Sequence, residues 1–140
     1  MKKLFFSILF ALGIFTAHAM ANETKSIFVN ITSSDSIKAP MAIMFASQGL
    51  KQNIDMTIFL NAEGVRLAVK DFHSPTNSKD GKTTQEMITS FVKNGGKLLV
   101  CPMCLKSLGY DESNLISEAV VSDENKTFSS ILSSDKVVSF

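Results

Sequence analysis

Cysteine is scarce. The 140 residues hold two, both inside one apolar run, "GGKLLVCPMCLKSLG", residues 95 to 109. Two cysteines cannot frame a domain of this size with disulfides, so its stability has to come from a hydrophobic core. An excess of either charge is lacking too. With 14 Lys and Arg against 13 Asp and Glu, no basic stripe remains for nucleic acid or an anionic membrane surface. Nor does a glycine-rich loop follow the first strand-like run: "TSSDS" offers hydroxyls and a carboxylate but no phosphate cradle, so no nucleotide cofactor is expected. Paired carboxylates and a Ser-His-Asp set are also missing, which leaves hydrolase chemistry without support.

Long apolar runs are absent as well. The only candidate lies in "MKKLFFSILFALGIFTAHAMANETK", where Lys2 and Lys3 precede an apolar stretch from Leu4 to Thr16. That is shorter than the roughly 20 residues a membrane span requires. Ala17-His18-Ala19 then places small residues where a signal peptidase cuts, so residues 1–19 read as a secretory signal, with cleavage after Ala19 or alternatively after Ala21. The expected product is periplasmic or secreted, without stable membrane insertion. At about 120 residues it supports one domain, placed at 25–140.

Within it, short apolar runs alternate with helical spacing. "KSIFVNITS" and "DMTIFLN" read as strands, the second covered on both faces. Between them Ile37, Met41, Met44, Phe45 and Leu50 recur at helical spacing to about Gln52 behind Ser and Asp caps, and Met41, Met44 and Phe45 are expected in the core. "AEGVRLAVKDF" suggests a short or broken helix because of Gly64, and residues 73–83 form the longest loop. Thr83 and Glu86 then make a capping box for a helix ended by Gly95 and Gly96. "KLLVC" reads as a strand and "PMCLKSLG" as one or two helical turns. "ISEAVVS", "NKTFSSILSS" and "KVVSF" complete a strand, helix, strand finish. Such alternation predicts a three-layer α/β sandwich, flavodoxin- or Rossmann-like, around a mostly parallel sheet of about five strands. Chemistry in such sheets gathers at the carboxyl ends of the strands.

Cys101 falls at one of those ends. Pro102 suits the first helical position, which puts Cys101 at the cap and Cys104 in the first turn, where backbone N–H groups favour a thiolate. Lys97 and Lys106 are near in sequence and read as solvated. Two cysteines three apart can close a disulfide, yet the chain has no proline after Pro102, whereas thioredoxin-like folds require a later cis-proline. For zinc the pair supplies two ligands where a closed site wants four, with His73 as the only mature histidine. Copper(I) would suit thiolates with Met103, although Met103 reads as core or rim packing. His73 with Asp71 could serve as a base, but an exposed loop histidine is the simpler reading. A structural disulfide in a non-catalytic binding or assembly module also fits.

The cysteine run, the order of elements, "MAIMFASQGL", "TIFLNAEGV" and the closing "SSDKVVSF" resemble the DsrE/DsrF-like family, which includes TusD-type sulfur carriers. The resemblance implies a DsrE-like domain over residues 25–140, a homo-oligomer, and a protein sulfur donor or thiol-disulfide partner. It also implies that Cys101, eight residues before Gly109, accepts sulfane sulfur as a persulfide, as in a sulfurtransferase-like carrier. Cys104, five before Gly109, matches a second cysteine found in another branch and would be the resolving partner. Where those carriers have arginine before the glycine, this sequence has Leu108, and they are cytoplasmic whereas this chain carries an export signal.

Overall fold

The computed structural model describes residues 25–76 and 81–140. The signal-peptide reading therefore falls outside the described residues, as does the stretch 77–80 of the long polar loop. Five strands form one sheet: β1 (Ser26–Ile31), β2 (Asp55–Leu60), β3 (Lys97–Val100), β4 (Val120–Val121) and β5 (Lys136–Ser139). Their order is β4-β3-β2-β1-β5, and every pairing is parallel. The helices are α1 (Lys38–Lys51), α2 (Thr84–Lys93), α3 (Pro102–Ser107) and α4 (Glu124–Leu132), and a 3-10 segment (Ala62–Ala68) follows β2. From β1 to β4 each step goes the same way across the sheet, while β4 to β5 crosses back over it. Right-handed crossovers then put α1, α2 and α3 on one face and α4 on the other, giving the three layers.

Period-two alternation explains the two faces. Val29, Ile31, Met56, Ile58, Leu60, Leu98 and Val100 point into one buried cluster with Ile43, Ile88 and Phe91 from α1 and α2. Phe28 and Leu99, also buried, alternate with these along the strands and face α4's side, where the Phe28 and Phe59 rings lie 5.8 Å apart. The capping box of α2 forms as expected: Thr83 takes the Glu86 N–H, and Glu86 takes the Thr83 N–H at 2.7 Å.

The expectation for α1 needs correction. Its existence follows the spacing, but Met41, Met44 and Phe45 are exposed by 56%, 43% and 40%. The face turned to the sheet is made of Ala39, Pro40, Ala42, Ile43 and Ala46, small side chains that let the helix axis approach the strands closely. The larger ones are left outside, where Phe45 meets Phe140 with ring centroids 5.8 Å apart. Ahead of the helix, Asp35 Oδ1 accepts the N–H groups of Ile37 and Lys38, each at 2.9 Å. β4 is also shorter than "ISEAVVS" suggests, at two residues.

The last strand is clipped to the first. Asp135 Oδ2 accepts from Ser26 N at 2.7 Å and from Ser26 Oγ at 3.0 Å. These bonds favour the ionised carboxylate and hold its pKa below the ordinary 3.8, the backbone N–H of Ser26 contributing most. Because the folded value is depressed, the associated stability is present above the unfolded pKa and is lost as pH falls through the folded one. Replacing Asp135 by Asn should therefore flatten the acid limb of stability below the usual carboxylate range. Urea midpoints at neutral and strongly acidic pH, compared for the two proteins, test this; equal losses on acidification would rule the clip out as a pH-sensitive element.

Candidate functional site

The cysteine turn is built by three local devices. β3 runs out at Val100, and the Cys101 N–H reaches across to Leu60 O at 3.0 Å, the final rung toward β2. Pro102 then occupies the first helical position with Cys101 as cap, and Leu105 N donates to Cys101 O at 3.0 Å. Finally Gly109, at φ +80°, adopts the left-handed conformation that ends the helix. Leu105 is buried and holds the short α3 against the core.

Cys101 and Cys104 are both half-buried. Their sulfurs are joined as a disulfide, with Cα atoms 5.3 Å apart, inside the ordinary range for such a bridge. The Cys104 N–H donates to Cys101 Sγ at 3.2 Å. This bond fixes the N–H at the start of α3 on the Cys101 sulfur. α3 has six residues, within the one or two turns expected of "PMCLKSLG".

Neighbouring strands frame the turn with polar groups. On the β2 side, Asn61 Nδ2 donates to Asn30 Oδ1 at 2.6 Å, and Asn30 Nδ2 to Ser139 Oγ at 3.4 Å. On the β4 side, buried Ser122 donates its N–H to Val100 O at 2.9 Å, and its hydroxyl meets Thr127 Oγ1 at 2.7 Å. The 3-10 segment packs beside α3. Its Gly64 sits close to the end of β1: the N–H bonds to Thr32 O at 3.2 Å, besides the local turn bond to Asn61 O at 2.9 Å.

Sequence reading missed one feature here. Arg66 Nη1 donates to Tyr110 Oη at 3.3 Å while its Nε is paired with Glu63. The Glu63 bond raises the already high Arg66 pKa, with Tyr110 adding a smaller effect. The Glu63–Arg66 spacing of three was visible as a local ion pair, but nothing local joins Arg66 to Tyr110, 44 residues on.

The other candidates stand apart. Lys97 opens β3, at the opposite end of the strand from Cys101, and Lys106 is exposed on α3. His73 and Asp71 are exposed, and no hydrogen bond or ion pair ties either to the cysteines. Met103, expected in the core or at its rim, is 75% exposed, because its place at the outer side of a helix held down by Leu105 turns it to solvent. Among the described residues no group of three or more His, Cys, Asp or Glu side chains could hold a metal. A cleft of about 570 Å³ opens between α1 and α2, lined by Met44, Lys51, Met87 and Asn94 among others, and neither cysteine borders it. Within the described residues no helix is long and apolar enough to cross a membrane.

Comparison with known proteins adds to this geometry. Residues 25–140 match the sequence model of the DsrE/DsrF-like family. The uncharacterized protein MJ0989 of Methanocaldococcus jannaschii is 29% identical over 103 residues, covering 74% of this chain and 87% of that protein. Among solved structures, the YchN protein of Escherichia coli superposes with a TM-score of 0.68 at 19% identity, over 84% of this chain and 99% of the other. Protein MTH1491 of Methanobacterium thermoautotrophicum, of unknown function, gives 0.68 at 11% identity, over 83% and 99%. At these identities the structures share the α/β fold.

Proposed function

The chain belongs to the DsrE/DsrF-like family, and on that premise we propose that it handles sulfur through Cys101, accepting a sulfane sulfur or attacking a disulfide, with Cys104 as the resolving thiol. Membership of the family suggests sulfur-relay-type work. The observation that carries the finer reading is the placement of Cys101 at the carboxyl end of an interior parallel strand, with Cys104 in bonding contact and its N–H on the Cys101 sulfur. In the reduced protein that N–H would face the thiolate, the reactive form of the group. With residues 1–19 read as an export signal, this activity would belong to a periplasmic or extracellular setting, where a protein sulfur donor or thiol-disulfide partner would meet it. The exposed stripe of Ile37, just ahead of α1, with Met41 and Phe45 on it supports self-association, since such apolar patches mark interaction surfaces.

A mainly structural disulfide is the competing reading, because the sulfurs are joined. A loop closed at a separation of three restrains the unfolded chain by only about 2 kcal/mol, little for a core of this size. Labelling the reduced protein with a sulfane-sulfur donor separates the two. Cys101→Ser should lose persulfide labelling entirely while Cys104→Ser retains it. Loss of stability without any change in labelling, equal in both variants, would leave the structural reading standing alone.

A further inference from the structure

Resting on the sulfur-accepting reading above, we propose that this pair discharges its sulfur as hydrosulfide, so that the chain acts as a sulfane-sulfur reductase and not as a store of intact persulfide. A carrier with one thiol keeps its persulfide because no second thiol is within reach. Here Cys104 is three residues away, its Cα 5.3 Å from that of Cys101, and the sulfurs are already bonded. α3 needs no rearrangement to bring them together: Pro102 starts it, Leu105 anchors it in the core, and the Cys104 N–H is fixed on Cys101 Sγ at 3.2 Å.

The chemistry runs in two steps. First, the Cys101 thiolate attacks the outer sulfur of a donor persulfide; an S–S bond forms to Cys101, the donor's own S–S bond breaks, and the donor leaves as a thiolate. Second, the Cys104 thiolate attacks Cys101 Sγ. The Sγ–Sγ bond forms, the bond from Cys101 Sγ to the outer sulfur breaks, and hydrosulfide departs with the electron pair. The transferred sulfur is reduced by two electrons, and the two cysteines are oxidised to the disulfide seen in the structure. A reduced dithiol, free or on a partner protein, must then return the pair to thiols.

Rate favours the internal step over handing the sulfur to another protein. Well-oriented groups within one molecule react as though present at up to about 10⁵ M or more. A partner thiol at millimolar or lower concentration competes poorly with that. Hydrosulfide is moreover the group that must leave, and thiols of low pKa leave readily.

The test uses the full chain, fully reduced and freed of reductant, with glutathione persulfide as donor, following sulfide and intact mass. The wild-type protein should release sulfide equimolar with the chain and finish as the Cys101–Cys104 disulfide. Cys104→Ser should keep one added sulfur on Cys101, with sulfide lowered about tenfold or more. If the wild type instead retains a stable added sulfur and releases no sulfide, the reductase reading falls while sulfur acceptance stands. If neither protein gains sulfur nor yields sulfide, sulfur acceptance itself fails.

Discussion

Gly64→Ala should destabilise the protein by about 3 kcal/mol, near the upper end for overpacking, although it adds a single methyl group to a segment of helical character. A Cβ at this position would overlap the Ile31 carbonyl oxygen and come within 3.4 Å of Ser33 N. Those are backbone atoms, and they cannot rotate aside as a side chain would. Backing the 3-10 segment away from β1 has its own cost, since it would stretch the Gly64 N–H bond to Thr32 O. The same segment packs on α3, so the substitution should also slow the sulfur loading proposed for Cys101. Gly109→Ala is the comparison. That glycine is needed for its φ of +80° and has open space around it, so the cost there should be about 1 kcal/mol of backbone strain. Urea unfolding of both variants measures the difference. Equal losses would mean that β1 and the 3-10 segment are not in close contact.

Gly96→Ala should be comparably damaging for another reason, and the damage should be partly reversible. A methyl group there would overlap the Cζ and Cε atoms of Phe91, a ring that is almost completely buried between α2 and the sheet. Phe91→Ala alone should cost about 3–5 kcal/mol through the cavity it leaves. Phe91→Leu combined with Gly96→Ala should be more stable than the sum of the single changes by about 1 kcal/mol or more, because the smaller side chain vacates the space the methyl enters. Strict additivity in this cycle would show that the Phe91 ring is not what resists a methyl group at position 96.

Elements whose evidence is local were legible in the sequence. Thr83 and Glu86 announce α2 because a capping box needs residues three apart, and Pro102 announces α3 because its missing N–H suits a first helical position. The cysteine site was legible for the same reason: strand end, cap and glycine stop all lie between Leu98 and Gly109. What could not be read depends on distant partners. Whether α1 turns Ala42 and Ala46 or Met41 and Phe45 to the sheet is decided by how closely the strands let it approach. A ranking by hydrophobicity alone picks the wrong face. Gly64 looked like a helix weakener, whereas its function is to let two backbones touch. The Arg66–Tyr110 contact and the placement of β5 beside β1 likewise join segments with no common local pattern.

That placement bears on how the protein comes into being. β5 follows every other strand in the chain, yet it locks onto β1 at a separation of 109 residues, through Ser26 and Asp135, and Phe140 closes on Asn30 and Thr32. Pairings this distant form slowly. Until β5 has been synthesised, β1 is a raw edge, its N–H and C=O groups on that side unmatched and Phe28 short of a neighbouring strand. An edge in that condition invites other chains, so a nascent molecule stopped before Asp135 needs a chaperone or a translocation channel to shelter it. Completion of the sheet is thus tied to completion of synthesis, and the cysteine pair beyond the end of β3 matures in a domain whose opposite border is the last to seal.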